Sequence, residues 1–159
     1  MRDQDIAMKN FDLNKFEGMW YDLVRTKNPS SATGEYPADK YTLQPDGTIK
    51  LEIFQQRNGN EEKIETIATF DSNLPSVWKI KYRESLLSSP YVDLIIIDTD
   101  YDNYAIIYAR MKYLWFFTKE MAWIMSRRKE LPSETMERLF KKLEETTNIK
   151  KDSMVFNLQ

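Results

Sequence analysis

The sequence contains few side chains that could carry out chemistry at a protein site. Its 159 residues include no cysteine and no histidine, which excludes thiolate nucleophiles, Ser-His-Asp catalysis, Cys/His zinc sites and histidine-ligated haem. The remaining candidates for proton transfer are a tyrosine and Asp22, an acid in the apolar stretch that begins at Gly18. A proton acceptor is one interpretation of Asp22, but a structural acid that binds water or backbone N–H groups is the one we favour. We therefore predict no catalytic residue, no metal and no cofactor.

The composition predicts one compact domain over residues 1–159. Hydrophobic residues make up 42% of the chain and aromatic residues 13%, which is enough for a sizeable core. The net charge is -2, so nucleic acid is not an expected partner. The longest apolar runs, at 113–117 and 121–125, are far shorter than the roughly 18 residues of a membrane-spanning helix. Residues 1–10 lack the apolar centre of a signal peptide.

Short runs rich in β-branched and aromatic residues predict antiparallel β-structure from Gly18 to about residue 128. Turn signals such as Asp46-Gly47 and Asn58-Gly59 separate the runs. The segment from Lys27 to Asp39 contains two prolines and is interpreted as a longer loop that covers a site. The strands are predicted at about residues 18–26, 38–45, 48–57, 61–70, 77–84, 91–98, 103–115 and 119–128.

One helix is predicted after the strands, at about residues 132–147. Pro132 and Glu134 are favourable in a first helical turn. The apolar residues that follow recur at helical spacing and form one stripe. We interpret the eight strands as a closed barrel, and the helix is expected to pack on its outside. A short final strand is predicted at about residues 153–157. The stripe consists of Met136, Leu139, Phe140 and Leu143.

Three motifs that are distant in sequence are predicted to meet at one end of the structure. In an up-and-down barrel, alternate connections lie at the same end. The entrance of the first strand, the corner before the seventh strand and the end of the last strand then become neighbours. Arg127 can place its guanidinium over the Trp20 ring as a cation–π contact. The predicted residues of this closed, structural end are Gly18, Trp20, Thr99, Asp100, Tyr101 and Arg127.

These motifs resemble the three signature regions of the lipocalins. They are Gly18-Met-Trp-Tyr, Asp98-Thr-Asp-Tyr-Asp-Asn-Tyr-Ala and Ala122-Trp-Ile-Met-Ser-Arg127. Leu131-Pro132-Ser-Glu-Thr is similar to the start of the family's helix, and the resemblance covers nearly all of residues 11–158. It is closest to the branch of apolipoprotein D, the bacterial lipocalins and retinol-binding protein.

The resemblance implies an all-β fold with one C-terminal α-helix, in which an eight-stranded antiparallel up-and-down β-barrel forms a calyx for small hydrophobic molecules. It also implies a secreted mature protein, either extracellular or periplasmic. The absence of cysteine departs from the family's secreted members, which usually carry disulfides. A cytoplasmic protein is therefore the alternative.

The two-residue period of the strands predicts which side chains face the interior. Counted from Trp20, Asp22 faces inward, and charged residues such as Lys50 and Glu52 face outward. Tyr41, Thr66 and Tyr82 could orient a ligand through hydrogen bonds. The predicted ligand-binding residues are Val24, Tyr41, Leu51, Ile53, Ile64, Thr66, Ile80, Tyr82, Leu94, Ile107, Ala109, Met121 and Trp123.

The predicted interior contains almost no cation. Lys119 lies near the mouth, which is the end of the barrel opposite Trp20, and Arg127 lies at the closed end. A carboxylate buried without a counter-charge costs several kcal/mol. We therefore predict a neutral apolar ligand, or a lipid whose polar head stays at the mouth. The candidates are a lipid, fatty acid or lysophospholipid, a sterol or a retinoid-like molecule, bound and carried unaltered. The alternatives are a solidly packed barrel that acts in protein interaction, an enzyme acting on a lipophilic substrate, and a bilin carrier.

The segment 113–117 breaks the alternation of apolar and polar residues along the strands. It is apolar on both faces of a predicted hairpin at the mouth, which is typical of contact with a membrane, a lipid particle or a second copy of the chain. A twisted hairpin folded over its neighbours is the other interpretation, and both stay open. The segment consists of Tyr113, Leu114, Trp115, Phe116 and Phe117.

Overall fold

Alternating apolar and polar residues form nine β-strands in the computed structural model, which describes residues 2–27, 34–81, 91–113 and 117–159. Two single-turn helices, α1 (Asp3–Ile6) and α2 (Leu13–Phe16), precede the strands, and α3 (Ser133–Thr146) follows the eighth strand. A 3-10 turn at Lys151–Ser153 leads into the last strand. The strands are β1 (Gly18–Thr26), β2 (Glu35–Leu43), β3 (Ile49–Arg57), β4 (Asn60–Phe70), β5 (Val77–Lys81), β6 (Tyr91–Thr99), β7 (Tyr104–Tyr113), β8 (Phe117–Ser126) and β9 (Met154–Phe156).

The sheet closes on itself through β1. This strand pairs antiparallel with β2 at its start and with β8 along the rest of its length. The other strands pair in sequence order from β2 to β8, and β9 adds to the last residues of β1. Closure through β1 thus joins β2 and β8, the first and last strands of the series from β2 to β8. The prediction of an eight-stranded antiparallel up-and-down barrel followed by one helix is confirmed. None of the helices in the described ranges is long and apolar enough to cross a membrane.

The second strand begins earlier than the sequence predicts. β2 starts at Glu35, which pairs with Gln56 of β3, so the predicted loop from Lys27 to Asp39 is shorter than expected. Pro37 lies where the β2–β3 register shifts, between Glu35 and Ala38. A proline is tolerated in a strand at such an irregularity because the ladder does not need its missing N–H there. Residues 28–33 of the predicted loop lie outside the described residues.

The barrel wall separates two apolar clusters. The inner cluster includes the buried rings of Phe16, Trp20 and Trp78. The outer cluster lies between the wall and α3, where all four residues of the predicted stripe are buried. The helix therefore packs on the outside of the barrel, as its spacing predicts. Buried rings of the inner cluster therefore fill the interior at the end where β1 begins.

Candidate ligand-binding cavity

Four aromatic side chains close the end of the barrel where β1 begins. The Phe16 ring stacks on Trp20 at a centroid distance of 5.0 Å and on Tyr41 at 5.4 Å. Trp78 meets Phe16 edge-on at 5.9 Å. The Trp20 indole donates its N–H to the carbonyl oxygen of Phe16 at 2.9 Å, so burial leaves this polar group satisfied. These four buried rings form the aromatic plug.

Arg127 joins three chain segments beneath the aromatic plug. Its guanidinium carbon lies 3.9 Å from the centroid of the Trp20 ring. Its Nε donates to the carbonyl oxygen of Tyr101 at 2.9 Å, Nη1 to that of Met19 at 2.9 Å, and Nη2 to that of Glu17 at 2.9 Å. A planar guanidinium can serve several carbonyl groups at once, which an ammonium cannot. Arg127 thereby links the entrance of β1, the corner before β7 and the end of β8.

The corner between β6 and β7 is held by its own side chains. The Thr99 hydroxyl donates to the carbonyl oxygen of Tyr104 at 2.6 Å and accepts from the N–H of Tyr101 at 2.9 Å. Asp100 accepts from the N–H of Tyr104 at 2.9 Å. Partial burial opposes ionisation of Asp100, but the hydrogen bonds that it accepts hold its pKa below the usual value. The corner thus presents the Tyr101 carbonyl to Arg127.

Above the aromatic plug, the barrel contains a cavity of about 480 Å³. This volume lies within the range of small-molecule sites. The lining includes eleven of the predicted ligand-binding residues: Tyr41, Leu51, Ile53, Ile64, Thr66, Ile80, Leu94, Ile107, Ala109, Met121 and Trp123. Val92, Met111 and Met125, which the same alternation places inside, line it as well. The wall is therefore mainly apolar.

Among the predicted ligand-binding residues that the structure describes, Val24 is the exception, and its predicted inward position is wrong. Asp22 pairs with Met125 of β8, but Val24 pairs with the very next residue, Ile124, so β1 contains a bulge with one extra residue. An extra residue reverses the side that every later side chain faces. Val24 consequently lies in the outer cluster, and Arg25 lines the cavity in its place.

The cavity is more polar than the sequence predicts. Arg25 contradicts the prediction that the interior has almost no cation, so a neutral ligand no longer follows from that premise. Asp39, predicted to end a loop, pairs with Trp20 across β1 and β2 and lines the cavity. For two of the lining residues that the prediction missed, Gln55 and Arg57, the sequence did contain a signal, because they continue the alternation of β3 beyond Ile53. The lining residues missed by the prediction are Arg25, Thr26, Pro37, Asp39, Gln55 and Arg57.

Comparison with known proteins decides the family. A family model described as a lipocalin-like domain matches residues 11–152. The chain belongs to the lipocalin-like family. Apolipoprotein D of Cavia porcellus is 34% identical over 133 residues, which cover 82% of this chain and 68% of the relative. Retinol-binding protein 4-B of Oncorhynchus mykiss is 34% identical over 113 residues, which cover 65% of this chain and 62% of the relative. The resemblance of the three motifs is confirmed.

Solved structures support the same fold. Apocrustacyanin C1 superposes with a TM-score of 0.76 at 21% identity, over 95% of this chain and 81% of that one. Lobster apocrustacyanin A1 superposes with a TM-score of 0.73 at 22% identity, over 92% of this chain and 78% of that one. At these identities the likeness concerns the fold alone.

In this lipocalin, Gly18 is required by two independent constraints. Its φ is +102°, and a Cβ there would lie 3.3 Å from Nη1 of Arg127. Gly47 has a similar φ of +86° but nothing within 4 Å. We expect Gly18→Ala to lower the free energy of unfolding by about 2–3 kcal/mol, and Gly47→Ala by about 1 kcal/mol. Urea unfolding followed by tryptophan fluorescence measures both. Equal losses in the two variants would show that the Arg127 contact contributes nothing.

Two carboxyl groups lie in the closed half of the lipocalin cavity. The Tyr41 hydroxyl donates to Asp39 at 3.0 Å. Burial raises the pKa of Asp39 to about 7, although the hydrogen bond from Tyr41 acts in the opposite direction. Burial, followed by the charge of Asp39, raises the pKa of Asp22 well above its usual value, and nearby Arg25 only partly offsets this. Both acids are therefore costly to ionise in the ligand-free protein.

The raised pKa of Asp39 predicts a stability that falls as the pH rises. A carboxyl whose folded pKa is about 7 and whose unfolded value is 3.8 favours folding fully below the unfolded value and loses that contribution as the pH increases to about 7. The full shift corresponds to about 4 kcal/mol, and we expect on the order of half of it, about 2 kcal/mol, because effective dielectric constants at buried sites are high. In Asp39→Asn the part of the pH-dependent loss of stability that comes from Asp39 should be absent. Urea unfolding across this pH range tests it, and parallel curves for the two proteins would contradict it.

Several sequence predictions fall where the structure does not reach. Tyr82 lies outside the described residues, as do Leu114, Trp115 and Phe116, and the side chains of Tyr113 and Phe117 are outside them too. Within the described ranges, no group of three or more acidic residues could hold a metal ion.

Proposed function

We propose that this lipocalin binds a small, mainly apolar molecule in the barrel cavity and carries it without altering it. The observation that carries the proposal is the mainly apolar cavity of about 480 Å³ above a sealed aromatic plug. Membership in a family that binds small hydrophobic ligands supports it. Retinol-binding protein 4-B, one of the relatives, is named for a ligand of this class.

The cavity lining is suited to reversible binding of an apolar ligand. Apolar ligand surface removed from water contributes about 25 cal/mol per Å². The lining includes small side chains such as Thr66 and Ala109 and flexible ones such as Met111 and Met121, and flexible methionines adapt to ligands of different shape. The cavity volume of about 480 Å³ disfavours the alternative of a solidly packed barrel. A carrier with this wall would select its ligand mainly by size and polarity.

A neutral apolar fluorophore tests the proposal directly. We expect N-phenylnaphthylamine to bind with one-to-one stoichiometry and to gain fluorescence as it leaves water. Energy transfer from the tryptophans, one of which, Trp123, lines the cavity, should accompany saturable binding. Unsaturable fluorescence without energy transfer would indicate surface adsorption only, and the carrier function would then be rejected.

We also propose that the protein acts outside the cytoplasm as a secreted mature form. Its similarity to apolipoprotein D supports this, and a cytoplasmic protein without disulfides is the alternative. Fractionation of the source cells with an antibody to the protein distinguishes the two compartments. Recovery only with cytosolic enzymes would contradict secretion.

A further inference from the structure

Asp22 and Asp39 lie side by side in the closed half of the cavity. Asp39 pairs directly with Trp20 across β1 and β2, and Asp22 follows Trp20 by two residues on the same face of β1. The two acids are therefore diagonal neighbours, a position in which Cβ atoms are about 7 Å apart. Both side chains line the cavity, and Asp22 is only 6% exposed. We call these two residues the acidic pair.

No cation of the described residues forms an ion pair with either acid. Arg25 is on the same strand, but its Nε donates to Oδ1 of Asn157 at 3.1 Å and its Nη1 to the carbonyl oxygen of Thr26 at 3.2 Å. One oxygen of Asp22, Oδ1, is buried without a hydrogen-bond partner. A buried acceptor left unpaired is costly, so this one points to a ligand that supplies a donor.

We propose that the acidic pair binds the protonated primary amine of an otherwise apolar ligand. This inference rests on the proposed function and names the chemical class of the ligand. An ammonium group has three N–H donors and no acceptor. It can donate to both carboxylates and to the oxygen of Tyr41, whose own proton is directed at Asp39. The apolar part of the ligand then extends along the wall toward the mouth.

The distribution of charge in the cavity favours this orientation. The groups that face the acidic pair from the neighbouring strands are Arg25 on β1 and Tyr41 on β2. The other cations of the lining are Arg57, next to the β3–β4 turn, and Lys119, near the start of β8. Both lie toward the end opposite Trp20, because alternate connections of the barrel share an end. The closed half of the cavity thus carries the two acids, which would repel the carboxylate head group of a ligand.

Three ligands with the same chain and different head groups test the proposal. Dodecylamine, dodecanol and dodecanoate are titrated against the protein loaded with N-phenylnaphthylamine, at about pH 8, which is above the pKa of about 7 of Asp39. We expect dodecylamine to displace the dye at a concentration at least about tenfold lower than dodecanol, and dodecanoate to be the weakest of the three. The advantage of the amine should shrink toward about pH 5, because the acids become protonated while the amine stays charged.

Two variants show whether the acidic pair is responsible. In Asp39→Asn and Asp22→Asn the ratio of the dodecylamine affinity to the dodecanol affinity, both measured on the same variant, should fall to about twofold or less. The pH series on the unaltered protein needs no variant and so does not depend on their folding. Equal affinities for all three head groups, or preference for dodecanoate, would overturn the amine proposal and leave the carrier function standing. Failure of the dye and of all three ligands to bind would instead overturn the carrier function.

Discussion

Arg127→Met is expected to lower the free energy of unfolding by about 3 kcal/mol. The substitution removes a cation–π contact at 3.9 Å from the Trp20 ring, worth about 1–2 kcal/mol when partly desolvated. It also removes charge-assisted hydrogen bonds to three backbone carbonyl groups in two other segments, the entrance of β1 and the corner before β7, and part of those groups is left without a donor. Urea unfolding followed by circular dichroism measures the change.

The adjacent Arg128 provides a matched control. It is exposed, and its Nη2 donates to Oδ1 of Asn103 at 3.0 Å. We expect Arg128→Met to change the free energy of unfolding by less than about 0.5 kcal/mol. Arg127→Lys should fall between the two, since an ammonium keeps the charge but not the planar array of donors. If the two methionine variants unfold at the same urea concentration, Arg127 does not join the three segments as we describe.

Ala109→Trp should weaken binding of an apolar ligand by at least about tenfold, which corresponds to 1.4 kcal/mol. Ala109 is 1% exposed and lies in the cavity wall, between Leu94 of β6 and Met121 of β8. An indole at this position projects into the space that the ligand would occupy. Because the cavity provides room for it, we expect a loss of stability of no more than about 1–3 kcal/mol. Titration with N-phenylnaphthylamine measures the affinity.

Thr69→Trp is the corresponding control outside the barrel. Thr69 is an exposed residue of β4 between two residues of the inner cluster, Ala68 and Phe70, so its side chain faces away from the cavity. The same aromatic group added there should leave the dye affinity within about twofold. A tight-binding Ala109→Trp protein would place the ligand somewhere other than in this cavity.

The two-residue period of the strands predicted most of the wall and failed at one irregularity. From β3 to β8, side chains such as Leu51, Ile107 and Trp123 lie inside, as the period requires. In β1 the bulge exchanged Val24 for Arg25. Nothing in the local sequence marks that bulge, because Leu23 and Val24 are apolar and suit either side of the wall. A single extra residue thus hid a cation that lines the cavity.

Only one residue of the acidic pair was predicted from the sequence to face the interior. Asp22 was predicted to face inward because it lies two residues beyond Trp20. Asp39 was assigned to a loop, since Gly34 and Pro37 favour turns. In the structure β2 runs through this region, and its pairing with both β1 and β3 overrides the local preference. Strand pairing across the barrel is non-local, so a single sequence could not bring the two acids together.

The aromatic plug was also only partly predictable. Trp20 was expected at the closed end, but Phe16 reaches it through α2, a helical turn that the prediction did not include. A signal for this turn exists, because Asp12 accepts a hydrogen bond from the N–H of Asn14 at 3.0 Å as an N-cap. Leu13 and Phe16 then have the spacing of one helical face and are both buried.

Native mass spectrometry of protein purified gently from its own source tests the central claim most directly. If the barrel is a carrier, the protein should retain a non-covalent, mainly apolar molecule, and mild collisional activation should release it. The released mass would identify the ligand, and an amine-containing molecule would also support the role of the acidic pair. A bare protein mass from the source, together with no retained molecule after incubation with N-phenylnaphthylamine, would contradict a ligand-binding barrel.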